Sequence, residues 1–197
     1  FVGPWIGDFM TSVGDFIVFA TDQQPFVMGV LVAVVFGLML TAPLSSAALA
    51  LMLEISGLAA GAAVIGCCCH MVGFAVQGYR DNGISGLISI GVGTSMLQVP
   101  NIFLNPFIVV PPTLASAIVA PLMTVFFPME NNAAGAGMGT SGFVGQIMAI
   151  ETMGMSVEVI VLILVFHIVL PAVVTYLIYV LMRQLGMIKD GDQILHH

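Results

Sequence analysis

Residues 57–79 read GLAAGAAVIGCCCHMVGFAVQGY, and this stretch decides the class of fold. It contains no charged residue, and about 20 apolar residues are enough to cross a bilayer as a helix. Its glycines and alanines are the small residues that allow membrane helices to pack closely. Cys67, Cys68 and Cys69 are consecutive, so on a helix they point in different directions and lack metal-ligand spacing. We interpret them as packing residues.

The composition of the whole chain agrees with a membrane protein. Hydrophobic residues make up 59% of the chain, charged residues 7%, and the mean hydropathy is +1.14. A soluble domain is typically about 25% charged, so this chain lacks the residues to cover a water-facing surface. The net charge of −7 with three basic residues argues against nucleic-acid binding, which needs a cationic surface. The sequence therefore predicts an all-α membrane protein, a polytopic helical bundle in contact with the lipid bilayer.

Further candidate spans lie on both sides of this stretch. Residues 1–22 place aromatic groups and aspartates on different faces and are predicted to form an amphipathic helix at the membrane surface. Pro43 allows the span that begins at Pro25 either to continue with a kink or to give way to a second short helix. Pro111, Pro112 and Pro121 predict that a later span bends or breaks. The transmembrane domain is expected over residues 23–195, with spans at about 25–55, 57–79, 106–127 and 157–182, and His196-His197 is interpreted as a tag remnant.

The pentapeptide Gly-x-Gly-Thr-Ser occurs twice, at Gly91–Ser95 and at Gly137–Ser141. Each copy lies in a weakly apolar, glycine-rich segment, at about 80–104 and 128–155, and one span separates them. We predict two re-entrant hairpins of opposed orientation, because paired interrupted segments often form the substrate site of a transporter. Arg183 and Lys189 place the C-terminus in the cytoplasm by the positive-inside rule.

Polar residues cluster on both predicted hairpins, where irregular backbone is tolerated if it lines a cavity or is buried. Amides and hydroxyls both donate and accept hydrogen bonds, which suits a small, neutral, polyhydroxylated solute. An alternative is that these groups satisfy the backbone of the hairpins themselves. No catalytic constellation, metal site or cofactor is predicted. The candidate solute-binding residues are Thr94, Ser95, Gln98, Asn101, Asn105, Asn131, Asn132, Thr140, Ser141, Gln146 and Glu151, with Glu54, His70 and His167 as possible additions because ionisable residues in a membrane often mark function.

The segments 91–101 (GVGTSMLQVPN) and 131–146 (NNAAGAGMGTSGFVGQ) resemble the membrane subunit IIC-like proteins of the phosphotransferase system, in the branch of perfringolysin-O regulators. The resemblance extends over nearly all of the chain and corresponds to the C-terminal part of a longer family member. It implies a bacterial inner-membrane protein, a homodimer, and a cytoplasmic IIB partner that phosphorylates a bound sugar. Two function classes remain open: a transporter component that binds a small polar solute, such as a carbohydrate, between the hairpins, and a non-transporting membrane regulator or lipid or fatty-acid binder.

Overall fold

The computed structural model describes residues 3–42 and 44–195, and within them the chain forms helices joined by short turns. The prediction of an all-α membrane protein is confirmed. The predicted tag remnant, His196-His197, lies outside the described residues, as do the first two residues of the predicted surface helix. The helices are α1 Gly3–Gln23, α2 Pro25–Thr41, α3 Ser46–Met52, α4 Gly57–Gln77, α5 Tyr79–Ile88, α6 Val99–Leu104, α7 Pro106–Phe126, α8 Ala133–Ala136, α9 Val144–Met153 and α10 Val157–Gln184.

Helix α4 is the centre of the bundle, and nearly all of its side chains are buried. Helices α2, α7 and α10 pack around it. Small residues on α4 make this possible: at Gly66 the backbone of α2 comes so close that an added Cβ would overlap the Ala33 carbonyl oxygen. The glycines and alanines of α4 therefore act as helix-packing residues, as their abundance in the sequence indicates.

Among the described residues, three helices are long and apolar enough to cross a membrane: α4, α7 and α10. Helix α2 is apolar but has 17 residues. The predicted span 25–55 divides into α2 and the separate short helix α3, which was one of the two alternatives. Ser45 caps the start of α3, because its hydroxyl accepts a hydrogen bond of 3.2 Å from the Ala48 amide.

The prolines of α7 do not break it, so of the two predicted outcomes, a bend or a break, only the bend stays a prediction. Pro111 and Pro112 lie at the start of its regular α-helical part, where a missing amide costs no intrahelical hydrogen bond. Pro121 lies inside the helix, which nevertheless continues to Phe126. In α10 the turn before Pro171 widens into a π-helical stretch, Leu164–Val169, which contains His167.

Both pentapeptide copies interrupt regular α-helix. The first copy spans the end of a π-helical turn, Ser89–Gly93, and an extended residue, Thr94. The second copy follows α8 and leads through a 3₁₀ turn, Ser141–Phe143, into α9. The predicted glycine-rich breaks are thus present in the backbone, and their re-entrant, opposed arrangement in a bilayer stays a prediction.

Candidate functional site

The two pentapeptide copies contact each other directly. The Thr140 hydroxyl donates a hydrogen bond of 2.6 Å to the Gly91 carbonyl oxygen, and the Ser141 hydroxyl donates one of 2.9 Å to the Gly93 carbonyl oxygen. Thr140 is buried, whereas Ser141 is partly exposed. Two hydroxyls of the second copy therefore bind two backbone carbonyl oxygens of the first copy.

The second copy is positioned by its contact with the middle of α4. Gly139 adopts φ = +55°, and a Cβ added there would lie 2.7 Å from the Cβ of Cys67. A side chain at this position would thus meet both backbone strain and a steric clash. The Gly145 amide donates to the Gly139 carbonyl oxygen at 3.1 Å, which closes the turn before α9. Glycine is required here so that the turn can lie against α4.

The first copy has a different local structure although its sequence matches. The Thr94 hydroxyl accepts a hydrogen bond of 3.2 Å from the Met96 amide and caps a 3₁₀ turn, so it makes no bridge like that of Thr140. Ser95 points into the bundle, where its hydroxyl lies 3.0 Å from the Thr41 hydroxyl. Equivalent residues of the two copies therefore have different contacts.

Ser95 begins a buried chain of polar side chains that crosses the bundle. The Thr41 hydroxyl lies 2.8 Å from Nδ1 of His70, and Nε2 of His70 lies 3.4 Å from the Thr113 hydroxyl. The Thr113 hydroxyl donates to the Val109 carbonyl oxygen at 2.7 Å, so it accepts from the His70 Nε2–H group. Nδ1 of His70 then accepts from Thr41, whose hydroxyl also lies 3.3 Å from the Gly37 carbonyl oxygen, and Thr41 accepts from Ser95. Every hydroxyl in this chain donates once.

A second buried polar contact joins α9 to α10 and α4. The Gln146 Nε2 group donates to Nδ1 of His167 at 3.0 Å and also contacts the Cys68 sulfur at 3.5 Å. The Oε1 atom of Gln146 is buried and has no hydrogen-bond partner among the described residues. A buried acceptor without a donor is costly, and the Oε1 atoms of Gln77 and Gln193 are unpaired in the same way among the described residues.

Asn131 and Asn132 hold the second hairpin together. The Asn131 side chain donates to the Gly145 carbonyl oxygen at 2.9 Å, and its backbone pairs with Gly57 at the start of α4. The Asn132 side-chain oxygen accepts from the Gly135 amide at 3.1 Å and caps α8. For these two residues the alternative interpretation, that the polar groups satisfy the hairpin backbone, describes the observed contacts.

The amides of the first hairpin bind the C-terminal tail (residues 185–195). Gln98 donates to the Gln193 carbonyl oxygen at 3.1 Å, and Asn101 donates to the Ile194 carbonyl oxygen at 2.9 Å. Asn105 donates to Asp192 Oδ2 at 2.7 Å and to the Met187 carbonyl oxygen at 3.0 Å. Three of the predicted solute ligands are thus engaged with the chain's own tail.

Two neighbouring residues that the sequence analysis did not select complete this contact. The Asp81 carboxylate accepts hydrogen bonds from the Gly191 and Gln193 amides, each at 3.1 Å. The Asn82 side chain donates to the Gln193 carbonyl oxygen at 2.7 Å and accepts from the Leu195 amide at 2.8 Å. The polar run at residues 80–82 is visible in the sequence, but nothing there indicates a partner more than a hundred positions away. Thr41 and Thr113 were missed for the same reason.

The remaining candidates lie apart from these contacts. Glu151 is exposed on α9 and makes no hydrogen bond to any described residue. Glu54 is also exposed and adopts φ = +50° in the turn between α3 and α4. Within residues 3–42 and 44–195, no three His, Cys, Asp or Glu side chains come together as metal ligands would. The structure therefore assembles the candidate polar residues around the two copies and the tail, and leaves both glutamates outside.

Two apolar cavities lie near the polar residues of the bundle. One of about 290 Å³ lies beside Gly91 and Thr140 and is lined mainly by aliphatic side chains and Phe143. Another of about 280 Å³ lies beside Thr41 and is also apolar, with Leu38 and Phe103 in its wall. The contact between the copies thus borders one apolar cavity, and Thr41 borders another.

Comparison with known proteins adds one match. A family model described as "Phosphotransferase system, EIIC" matches residues 1–195. No curated protein and no solved structure matches the chain. The matched family and the apolar helices agree on a membrane protein, and the family is that of the membrane components of sugar-transporting phosphotransferase systems. The chain belongs to the phosphotransferase system EIIC family.

Proposed function

We propose that this chain binds a small polar solute of the carbohydrate class at the contact between the two pentapeptide copies. The observation that supports this most directly is the pair of hydroxyl-to-carbonyl hydrogen bonds from Thr140 and Ser141 to Gly91 and Gly93. A sugar carries the same hydroxyl groups. Its hydroxyls can donate to the two glycine carbonyl oxygens and accept from Thr140 and Ser141. Each hydrogen bond between the copies is then replaced by hydrogen bonds of the same kind to the solute.

Replacement of these two protein hydrogen bonds by hydrogen bonds to a solute costs little free energy. A neutral intramolecular hydrogen bond contributes about 0.5–1.5 kcal/mol, and a ligand that restores each bond recovers that amount. Gln146 also favours solute binding, because its buried Oε1 atom accepts no hydrogen bond from any described residue. A solute hydroxyl that reached it would satisfy a group that the protein leaves unpaired.

The depth of this contact also supports a transport role. Gly139 lies against Cys67, near the middle of α4, and Ser95 connects through Thr41 to His70. If α4 crosses the bilayer from end to end, both copies lie well inside it. Transporter substrate sites typically lie near the bilayer midplane, at interrupted helices.

In the membrane, we propose two re-entrant hairpins of opposed orientation in a bacterial inner-membrane homodimer. Arg183 and Lys189, at the end of α10 and beyond it, favour a cytoplasmic C-terminus. A cytoplasmic IIB subunit would supply the phosphoryl group, so the chain acts as one part of a phosphotransferase. This chain's own contribution is to bind and orient the solute.

The test is ligand-dependent thermal stabilisation of the purified full chain in detergent, across neutral sugars and fatty acids. A ligand that binds only the folded state raises its apparent stability as ligand concentration increases. We expect a saturable shift with a sugar, reduced at least threefold in T140V and in Gln146→Met. T152V is the matched control, because its exposed hydroxyl bonds within its own helix. Absence of a shift with any sugar, or an unchanged shift in both variants, would rule the site out.

One observation favours a second function, the binding of a fatty acid. The cavity of about 290 Å³ beside Gly91 and Thr140 is apolar, which suits an acyl chain better than a sugar. A non-transporting regulator that binds a fatty acid would use this cavity. In the same experiment, this second function predicts a rise in thermal stability with fatty acids and none with sugars. Replacement of Ala75 by Leu, which fills the cavity, would abolish the rise.

A further inference from the structure

A third cavity lies at the end of the bundle formed by α5 and the last turns of α10. It has a volume of about 260 Å³ and is lined by Arg80, Tyr176, Tyr179, Val180, Arg183 and Gln184. We propose that this cavity binds the phosphate of an anionic phospholipid headgroup, with the two guanidinium groups as its ligands. The site is separate from the contact between the pentapeptide copies.

The positive charge of the chain is concentrated at this cavity. The whole chain has three basic residues against ten acidic ones, and two of the three basic residues line this cavity. Arg80 is exposed and forms no ion pair with any described residue. Arginine binds phosphate through several N–H donors in a fixed planar arrangement, so two arginines that line one cavity are suitable ligands for a phosphate group.

Arg183 already binds an anionic oxygen. Its guanidinium forms an ion pair with Asp190 of the C-terminal tail. The Asp190 side chain is 68% exposed, whereas Arg183 is 25% exposed, so the carboxylate approaches the arginine from the solvent side. Such an exposed pair contributes about 0–1 kcal/mol, and a phosphate oxygen can therefore displace the carboxylate at little cost. The nearby Asp81 carboxylate is engaged by the Gly191 and Gln193 amides.

The aromatic residues around this cavity favour a position at the level of the lipid headgroups. The chain has three tyrosines, of which Tyr176 and Tyr179 line the cavity and Tyr79 is the neighbour of Arg80. Tyrosine is enriched at the interface between membrane and water, where its ring meets the lipid and its hydroxyl meets water. Basic pockets between helices at such an interface bind anionic lipid headgroups.

Helix α10 also provides a surface for the acyl chains. Val169, Val173 and Leu177 are about half exposed or more and follow each other at intervals of four residues, so they form one stripe along the helix. The stripe runs towards Tyr176 and the cavity. A headgroup held by the two arginines would place its acyl chains along these side chains. A free phosphate ion would use the same arginines and gain nothing from the stripe.

The experiment compares lipids with the same acyl chains on the detergent-solubilised full chain. Native mass spectrometry and thermal unfolding are measured after addition of phosphatidylglycerol, phosphatidylcholine or inorganic phosphate. We expect retention of phosphatidylglycerol and a rise in Tm, with weaker effects of phosphatidylcholine, whose ammonium group offsets the phosphate charge. R80Q and R183Q should each weaken phosphatidylglycerol binding about tenfold, because each removes a charged hydrogen-bond donor. K189Q, the third basic position, is the control and should bind as the parent does.

The outcomes separate the alternatives. Because Arg80 forms no ion pair with a described residue, R80Q removes no such contact from the folded protein, and its result decides the assignment even if R183Q is unstable. Equal retention of the two lipids, or equal binding by R80Q and K189Q, would overturn the proposal. A Tm shift with inorganic phosphate and none with phosphatidylglycerol would overturn the lipid assignment and leave a free-phosphate site. Asp190→Asn, which releases Arg183, should strengthen phosphatidylglycerol binding, and a weakening would contradict the displacement of Asp190.

Discussion

The Thr140 hydroxyl donates a hydrogen bond of 2.6 Å to the Gly91 carbonyl oxygen, and this bond joins the two copies of Gly-x-Gly-Thr-Ser. The two residues are far apart in sequence and lie on different predicted hairpins. Their contact shows why a hydroxyl and a glycine are both useful in the repeated segment, since one supplies a donor and the other an accessible carbonyl oxygen. The copies act as two complementary parts of one contact.

Replacement of Thr140 by valine should destabilise the protein. Valine keeps the shape of threonine but cannot donate, so the partly buried Gly91 carbonyl oxygen loses its partner. The expected loss of unfolding free energy is about 1–3 kcal/mol. This corresponds to a fall in Tm of about 2–4 °C per kcal/mol for a chain of this size, measured by thermal unfolding in detergent.

The matched control for this change is T152V. The Thr152 hydroxyl is exposed and donates to the Met148 carbonyl oxygen of its own helix, so its loss should change Tm little. Ser141→Ala should fall between the two, because its bond to Gly93 is partly exposed. Equal Tm values for T140V and T152V would show that the contact between the copies does not stabilise the fold.

The buried hydrogen bonds of His70 predict that T41V destabilises the protein more than T113V. In T41V, Nδ1 of His70 loses its donor and Ser95 loses its acceptor, so we expect a loss of about 1–3 kcal/mol. In T113V, the contact to His70 that is lost is longer, 3.4 Å against 2.8 Å, so the loss should be smaller. Thermal unfolding of both variants checks the order, and a larger effect of T113V would show that Thr41 is not the stronger hydrogen-bond partner of His70.

The sequence predicts the elements better than the contacts between them. Apolar runs and glycine-rich interruptions are local signals, so the spans around α4, α7 and α10 and both breaks were predictable. The partners of Asn101 and Asn105 were not, because an amide side chain binds a carbonyl oxygen of any residue. The tail that these asparagines bind has no distinctive composition. Thr41 was missed since one threonine at the end of an apolar helix gives no sign of a buried histidine nearby.

The contact between the first hairpin and the C-terminal tail predicts a change in hydrogen exchange. Asn105→Ala removes the hydrogen bonds to Asp192 Oδ2 and the Met187 carbonyl oxygen. Asp192 Oδ2 also accepts from the Lys189 amide, so the tail loses its anchor at this turn. We expect amides of residues 187–195 to exchange about tenfold faster, measured by mass spectrometry.

Asn132→Ala provides the comparison for the tail experiment. Asn132 caps α8 on the other hairpin, so its replacement should leave the exchange of residues 187–195 unchanged. Peptides that cover the start of α8 should respond instead. If tail exchange in Asn105→Ala matched that of the parent, the amides of the first hairpin would not hold the tail in solution.

The corresponding glycines of the two copies provide the sharpest comparison. Gly93 and Gly139 occupy the same position of the pentapeptide, but a Cβ at Gly93 would meet no atom within 4 Å, whereas one at Gly139 would lie 2.7 Å from the Cβ of Cys67. Gly139 also has φ = +55°, which an alanine adopts at a cost of about 1 kcal/mol or more. Gly139→Ala should therefore lower Tm by several degrees, and Gly93→Ala should lower it little. Equal effects would mean that the copies have equivalent backbones, which would contradict the asymmetry of the contact between Thr140 and Gly91.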